Sequence, residues 1–233
     1  MKIENELHQV QASILQALLI HPELKFSEFD MQGLSSDHFT FHLKRLLELG
    51  FIKKGQKGGY SLSNRGKEFA NRFDAGTNKP VRQAKLGSMT ICVREKGEET
   101  EVLFSKRLKQ PYYGYHGFVS GKMKWGETPI ETSKRELLEE VNVTGDFKFA
   151  GIEHKMDYSK DGDLLEDKYF FVVKVTNLKG KLIEKFSEGE NIWVKKSEIK
   201  DLKNKFPDID ILIDLAFSKS FKYVENKFIV EGY

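Results

Sequence analysis

The sequence has one cysteine, Cys92, and only five prolines in 233 residues. A single cysteine excludes an intramolecular disulfide and a zinc site built from several cysteines, which is typical of a reducing cytoplasm. The longest strongly apolar stretch, Ile14 to Ile20, is far shorter than the roughly 20 residues of a membrane-spanning helix. The first four residues, MKIE, do not resemble a signal peptide. We therefore expect a globular cytoplasmic protein that does not associate with membranes.

Acidic and basic residues nearly cancel, which leaves a formal net charge of +3. Residues 1–82 contain 12 Lys and Arg against 9 Asp and Glu, and the rest of the chain is balanced. The whole excess of positive charge therefore lies in the first third of the chain. It weakly favours a polyanionic partner for that segment, although a solvated surface gives the same count.

Length and turn residues predict two domains of different fold. A domain typically takes about 100–200 residues, and the segment between Phe73 and Lys85 contains turn residues and one proline without a sustained apolar period. No internal repeat relates the two halves. We expect an α+β protein with an N-terminal domain at 1–74, a linker at 75–85 and a second domain at 86–233.

The N-terminal segment has the pattern of helices followed by one hairpin. Apolar residues recur at three- and four-residue steps in its helical stretches, and Ser35 or Ser36 can cap the third helix. The loop GQKG at 55–58 lies between two short extended runs and predicts a hairpin with a basic tip. The predicted elements are helices at about 4–20, 27–31, 35–50 and 63–73, with hairpin strands at 51–54 and 59–62.

This order of elements resembles the winged helix-turn-helix domains of bacterial and archaeal transcription regulators. The resemblance rests on LKRLLELGFI at 43–52 and YSLSNRGK at 60–67. It implies that the third helix enters the major groove of double-stranded DNA and that the hairpin acts as a wing on the backbone. Lysine and arginine side chains can neutralise phosphates there. The implied DNA-binding residues are Thr40, Lys44, Arg45, Lys53, Lys54 and Lys57.

Winged helices also serve as dimerisation or docking modules, and that reading of the N-terminal domain stays open. Five cations on one surface are common in proteins that bind no nucleic acid. His42 is expected to be a partly buried helix residue rather than a reader of bases. For either role of the domain we expect a homodimer.

The most informative stretch of the chain is GKMKWGE, from Gly121, followed seven residues later by RELLEEVNV at 135–143. In a helix, Glu136, Glu139 and Glu140 share one face because they are three and four residues apart. Three glutamates in five residues also fit a solvated acidic helix. Clustered like charges destabilise an isolated helix, however, so the pattern favours a compensating cation, and oxygen ligands favour Mg²⁺ or Mn²⁺.

The spacing of these residues resembles the Nudix box. That pattern reads Gly, five residues, Glu, seven residues, Arg-Glu, an aliphatic residue, any residue, Glu-Glu, any residue, Gly and an aliphatic residue. Every specified position matches except the second Gly, which is replaced by Asn142. Asn is the non-glycine residue that best tolerates the left-handed conformation at a helix end, so the departure is expected to be conservative.

The resemblance extends over about residues 86–200 and implies an α/β/α sandwich with a mixed sheet. Strand-like runs lie before and after the box, at 89–93, 102–104, 169–175 and 191–194. The implied reaction is hydrolysis of a nucleoside diphosphate linked to another moiety, a nucleotide-type small molecule. A pyrophosphate repels hydroxide until metal ions neutralise its oxygens and lower the pKa of bound water.

The resemblance also implies a role for each box residue. Glu136, Glu139 and Glu140 would ligate Mg²⁺ or Mn²⁺, with the carbonyl of Gly121 as a further ligand. The predicted catalytic set also contains two residues that would brace the loop and helix, Arg135 and Glu127. The general base stays open between a box glutamate and an acidic residue on a later loop, where the candidates are Glu188 and Glu190.

Two other motifs carry less weight. The residues at 157, 159, 161 and 162 begin like an EF-hand loop, but the twelfth position is Lys168, where a bidentate Glu is required. We predict a hairpin loop there. The aromatic run at 112–118 fits stacking on a base and packing at a sheet edge equally well.

Together the halves predict a DNA-binding domain fused to a Nudix hydrolase, acting as a metabolite-responsive transcription regulator. Alternatives are an enzyme whose N-terminal module serves dimerisation or docking, and a non-catalytic metabolite sensor. The intact carboxylates argue against the sensor. Nudix-linked regulators are a known class in which the Nudix part comes first, so the reversed order here prevents substrates from being carried over.

Overall fold

The computed structural model describes residues 7–31, 33–72 and 82–231. The chain divides into two compact units, Met1–Arg82 and Gln83–Tyr233. The predicted linker at 75–85 lies partly outside the described residues. Within the described part, no helix combines the length and apolarity needed to cross a bilayer.

In the described residues of the first unit, the chain forms three α-helices, one 3₁₀ turn and a two-stranded hairpin. Buried residues from all three helices and the hairpin form its core, which includes Leu15, Phe39, Leu46 and Phe51. Ile52 pairs with Leu62 at the base of the hairpin, so both strands are anchored in that core. The elements are α1 (Gln9–Ile20), the 3₁₀ turn (Phe26–Glu28), α2 (Ser36–Glu48), β1 (Ile52–Lys54), β2 (Tyr60–Leu62) and α3 (Asn64–Ala70).

The helices of this unit are shorter than predicted, and α3 ends at Ala70 rather than at about Phe73, which lies outside the described residues. We expected α1 to begin at about Glu4, which lies outside the described residues, but the structure begins it at Gln9. His8 has an extended backbone and caps the start of α1, because its ring nitrogen accepts a hydrogen bond from the amide of Val10 at 3.3 Å. The predicted helix at 27–31 is the single 3₁₀ turn, since the backbone becomes extended at Phe29.

From residue 83 to residue 231, where the structure describes the second unit, it is a nine-stranded mixed sheet with two α-helices. Two strand pairs are parallel and the others are antiparallel. The sheet order is β11-β7-β8-β3-β4-β10-β9, with β5 on β4 and β6 on β3. The elements are β3 (Lys85–Lys96), β4 (Glu99–Arg107), β5 (His116–Gly117), β6 (Val119–Lys122), α4 (Pro129–Val141), β7 (Val143–Tyr158), β8 (Leu164–Gly180), β9 (Lys185–Phe186), β10 (Gly189–Lys195), a 3₁₀ helix (Lys196–Asp201), α5 (Ile209–Phe217) and β11 (Lys222–Ile229).

The two helices cover opposite faces of this sheet. Successive strand residues point to opposite faces, so Cys92 packs with Leu137 of α4 while Ile91 packs with Leu212 of α5. Each face therefore has its own apolar core. The mixed sheet expected from the sequence is confirmed.

The segment that begins like an EF-hand and the aromatic run at 112–118 have structural roles. Residues 159–163 form the turn between β7 and β8, as predicted for the segment that begins like an EF-hand. In the aromatic run, Tyr112 is buried, and its hydroxyl lies 3.2 Å from a carboxylate oxygen of Asp157. Phe118 packs on Phe104. These two residues serve packing rather than base stacking.

Candidate active site

Helix α4 carries the box, and its sequence fixes both of its ends. Thr128 caps the first turn, where its hydroxyl accepts from the amide of Glu131 at 3.3 Å and the Glu131 carboxylate accepts from the amide of Thr128 at 2.8 Å. Pro129 occupies the first helical position, where no backbone donor is needed. Asn142 ends the helix with φ 58° and ψ 38°. The left-handed cap predicted at this position is confirmed.

Glu127 and Arg135 tie the preceding loop to this helix. The guanidinium donates to both carboxylate oxygens, at 2.6 Å and 2.9 Å, and Glu127 also accepts from the hydroxyl of Thr132 and the amide of Lys124. These bonds lower the pKa of Glu127 to about 2, chiefly through Arg135. Arg135 reaches the carbonyl of Lys122 as well, at 3.2 Å. These contacts join the loop to the helix, and the bracing role of the pair stays a prediction.

Glu136 lies against β6 at Gly121. A Cβ at position 121 would overlap the Glu136 carboxylate where it now lies, so glycine leaves room for this position of the carboxylate. Arg135 also forms an ion pair with Glu136. The hydroxyl of Ser88, on the neighbouring strand β3, forms a hydrogen bond with the hydroxyl of Ser133 on α4. The carboxylate is therefore held between its own helix and the strand that carries Gly121.

Glu139 and Glu140 differ in their surroundings. The Glu139 side chain is 56% exposed and lies 3.5 Å from Arg135. Glu140 is half-buried, and burial together with repulsion from Glu136 raises its pKa to about 7. The side-chain amide of Asn191 donates to the backbone carbonyl of Glu140 at 2.9 Å, which anchors the end of α4 to β10.

The donor set of the box fits a hard divalent cation. Its side-chain ligands are all oxygens, and the absence of a side chain at Gly121 lets the Glu136 carboxylate lie against the strand. Burial, and then repulsion from Glu136, raise the pKa of Glu140, and a bound cation would offset that repulsion. Across the described ranges, no three acidic, His or Cys side chains converge closely enough to enclose a metal ion as they stand. Glu136 is paired with Arg135 in this arrangement.

The later candidates for a general base are both engaged with cations. Glu188 pairs with Lys109, and Glu190 lies 2.9 Å from Lys185, whose hydrogen bond lowers the pKa of Glu190. Glu188 belongs to the turn before β10, and Glu190 lies within that strand. Each of these two carboxylates therefore has a lysine partner.

Two basic residues near Glu140, Arg107 and Lys109, were not predicted from the sequence. Arg107 and Lys109 both act to lower the pKa of Glu140. The guanidinium of Arg107 donates to the carbonyls of Lys109 and Pro111 at 3.1 Å and 2.6 Å, which orders the loop after β4. A basic pair at a strand end has no distinctive spacing relative to the box, so no local pattern signals it.

The predicted DNA-binding residues of the first unit lie on α2 and the hairpin. Thr40 is half-buried, while the five basic residues are exposed: Lys44, Arg45, Lys53, Lys54 and Lys57. Arg45 pairs with Glu48 at 3.2 Å, and the ammonium of Lys54 lies over the ring of Tyr60. His42 is buried and stacks on His8, so it is a core residue.

A mixed sheet between two helices, with this box on one of them, defines a pyrophosphohydrolase of the kind that uses divalent metal ions. The family model described as the NUDIX domain matches residues 85–215, which is more than half of the chain. The protein therefore belongs to the Nudix family. The predicted enzyme class, a Nudix pyrophosphohydrolase of unspecified substrate, is confirmed.

Solved structures share the fold of the second unit. A MutT protein of Bacillus halodurans is 24% identical, with a TM-score of 0.54 over 64% of this chain and 93% of that chain. The Nudix domain of Shewanella oneidensis NrtR, solved with ADP-ribose, is 16% identical, with a TM-score of 0.51 over 64% of this chain and 94% of that chain. Identities this low support the fold alone.

Proposed function

We propose that the second unit is a Mg²⁺- or Mn²⁺-dependent hydrolase of a nucleoside diphosphate linked to another moiety. The arrangement of the box carries this proposal, because Glu136 occupies the space beside Gly121 while Glu127 and Arg135 hold the loop against α4. ADP-ribose is a compound of this class and is the ligand in the NrtR structure. It is therefore the first substrate to test.

In this proposal the three glutamates and the Gly121 carbonyl hold the cation. When bound, the cation neutralises phosphate oxygens and lowers the pKa of a water ligand. Arg135 keeps its proton, since its bonds to Glu127 and Glu136 hold its pKa above the ordinary value. It therefore positions both carboxylates throughout turnover. Glu139 faces solvent, the side from which an anionic substrate approaches.

The test is metal-dependent hydrolysis across a panel of ADP-ribose, dinucleotides, nucleotide sugars and nucleoside triphosphates. Glu139→Gln and Glu140→Gln should each lower turnover by about 100-fold or more, because each removes a charged ligand. Glu131→Gln is the matched control on the same helix, since glutamine also completes a capping box. If both box variants hydrolyse substrate as fast as the wild type, Glu139 and Glu140 are not ligands of the catalytic cation. A compound that raises the melting temperature without turnover would favour the sensor alternative.

We also propose that the first unit binds double-stranded DNA as a homodimer, which makes the protein a metabolite-responsive transcription regulator. Support comes from the exposed basic residues on α2 and on the hairpin. Both elements are anchored in one core through Leu46 and Ile52, so their basic side chains keep a fixed spacing. A docking or dimerisation module remains the second candidate function.

DNA binding is tested with a pool of random-sequence duplexes, which avoids the need for a known operator. Affinity should fall steeply with salt, and loss of one phosphate contact should reduce the log–log slope by about 0.9. Lys44→Ala and Lys57→Ala should each show this reduction, whereas Lys67→Ala, an exposed lysine on α3, should not. Absent or salt-independent binding would favour the docking module.

A further inference from the structure

Strand β11 forms one edge of the sheet in the part of the chain that the structure describes. It lies beyond the Nudix match at 85–215, and all eight of its residues pair with β7 without a register shift. A long edge strand presents a row of backbone donors and acceptors, and proteins commonly interrupt such an edge with a proline or a β-bulge. Lys222–Ile229 contains neither. Within the described ranges, this edge is therefore able to pair with a further strand.

The backbone of β11 directs alternate residues to its two sides. The amide of Val230 donates to the carbonyl of Tyr158, at the end of β7, at 2.9 Å. Because a strand has a period of two, the even-numbered residues of β11 direct their N–H and C=O groups toward β7. The odd-numbered residues direct these groups away from it, toward the open edge: Tyr223, Glu225, Lys227 and Ile229.

Charge selects one register for pairing this edge with a second copy of itself. In an antiparallel pair, two opposite residues exchange both backbone hydrogen bonds, so odd-numbered residues must face odd-numbered residues. A two-fold axis at Glu225 or at Lys227 sets like charges directly opposite each other, which is destabilising. An axis at Asn226 instead sets Glu225 opposite Lys227 of the partner subunit, and symmetry repeats this pair. In that register, Tyr223 faces Ile229 of the partner subunit.

The side chains of the edge residues are accessible for these pairs. Tyr223 and Ile229 are 50% and 73% exposed, and an aromatic residue opposite a β-branched one is a favourable cross-strand pair. Lys227 is exposed, and the side chain of Glu225 is 55% exposed. The Glu225 carboxylate accepts from the hydroxyl of Tyr223 at 2.8 Å, and a carboxylate has room for a further donor. All four side chains lie on one face of the sheet, because they are two residues apart.

We propose that β11 pairs antiparallel with β11 of a second copy of this chain, centred on Asn226, so that the two sheets become continuous. The inference rests on the homodimer proposed above, and it names the surface through which the second units join. It requires neither hydrolysis at the box nor DNA binding by the first unit. Backbone hydrogen bonds supply the contact in this mode of association, and the side chains set its register.

The test measures dimerisation of the full chain by sedimentation equilibrium. Lys227→Glu and Glu225→Lys each turn two attractive pairs into two repulsive ones, so each should weaken the dimer by about tenfold or more. An equimolar mixture of the two variants should restore dimerisation, because every lysine at the edge then faces a glutamate. Lys179→Glu, at an exposed position of β8, changes the net charge equally and is the matched control. It should dimerise like the wild type.

A cross-link tests the register independently of the charges. Opposite residues of a non-hydrogen-bonded pair have Cα atoms about 4.5 Å apart, which is within reach of a disulfide. Asn226→Cys should therefore form an interchain disulfide under mild oxidation. Val224→Cys should not, because its two copies would lie roughly 13 Å apart along the strands. The native Cys92 is buried and does not compete.

The outcomes separate this interface from the homodimer itself. Dimerisation that is equal in the wild type and both charge variants would overturn the interface and leave the homodimer intact. Asn226→Cys that forms no cross-link, or a mixture that does not restore dimerisation, would also overturn the interface. A wild-type chain that stays monomeric at about 100 μM would overturn both proposals. These measurements use no substrate, metal or DNA, so failure of hydrolysis or of DNA binding would leave them unaffected.

Discussion

Replacing Glu153 by glutamine tests a buried ionic cluster beneath the start of α5. Glu153 of β7 is fully buried, and its carboxyl oxygens make no hydrogen bond of good geometry within the described part of the chain. Asp208 precedes α5, and its carboxylate lies 2.9 Å from the ammonium of Lys155. Asn226 faces Glu153 from β11. Burial and repulsion from Asp208 raise the pKa of Glu153 to about 8, while Lys155 opposes the rise.

The direction of the pH dependence follows from proton binding. In the unfolded chain Glu153 releases its proton near pH 4.5, whereas the folded protein keeps it until about pH 8. The folded state therefore binds more protons between these values, and the free energy of unfolding falls as pH rises through this window. At about 1.4 kcal/mol for each pH unit, the loss over the whole window amounts to roughly 5 kcal/mol.

Glu153→Gln removes the titrating group and should remove this loss. The free energy of unfolding of the variant, relative to wild type, should rise by roughly 4 kcal/mol between pH 5 and pH 9. Urea unfolding followed by tryptophan fluorescence measures it, because both tryptophans, Trp125 and Trp193, lie in the second unit. Glu98→Gln, in the exposed turn between β3 and β4, is the control. A difference that is the same at both pH values would refute the reasoning.

Three further changes test the box and its helix. Gly121→Ala should lower hydrolysis by about 100-fold with little change in melting temperature, because the added Cβ displaces Glu136; full activity would show that Glu136 needs no such space. Arg135→Lys should lower kcat by about 10- to 100-fold in steady-state assays, since lysine cannot make both guanidinium bonds to Glu127. Asn142→Ala should cost about 1–2 kcal/mol in urea unfolding and Asn142→Gly less than about 1, because of the left-handed backbone; equal costs would contradict that reason.

The box and its helix were predictable because the residues that determine them lie close together in the sequence. The spacing of the glutamates, the proline at the helix start and the asparagine at its end all act within a few turns of chain. The strand-like runs at 89–93, 102–104, 169–175 and 191–194 all lie inside observed strands. Alternating or continuous runs of apolar residues indicate which strand residues are buried.

The ionic cluster was not predictable from local patterns. Glu153, Lys155 and Asp157 alternate along β7 in the way expected of a solvent-facing strand. The structure buries all three, because the residues before α5 and strand β11 cover that part of the sheet. The covering residues, Phe206 and Phe228, come from more than 45 positions later in the sequence. Only the tertiary fold brings them over Lys155.

The two faces of the sheet carry different groups of charged residues. The box lies on its α4 face, where hydrogen bonds from Arg135 hold Glu127, while the ionic cluster lies on its α5 face. The strands between them carry an apolar core on each side, with Ile91 and Cys92 both fully buried. Residues separated by such a core share no partner, and changes at distant sites without shared partners are usually additive. Substitutions on one face should therefore leave the free energies measured on the other unchanged, so hydrolysis and pH-dependent stability can be assigned separately.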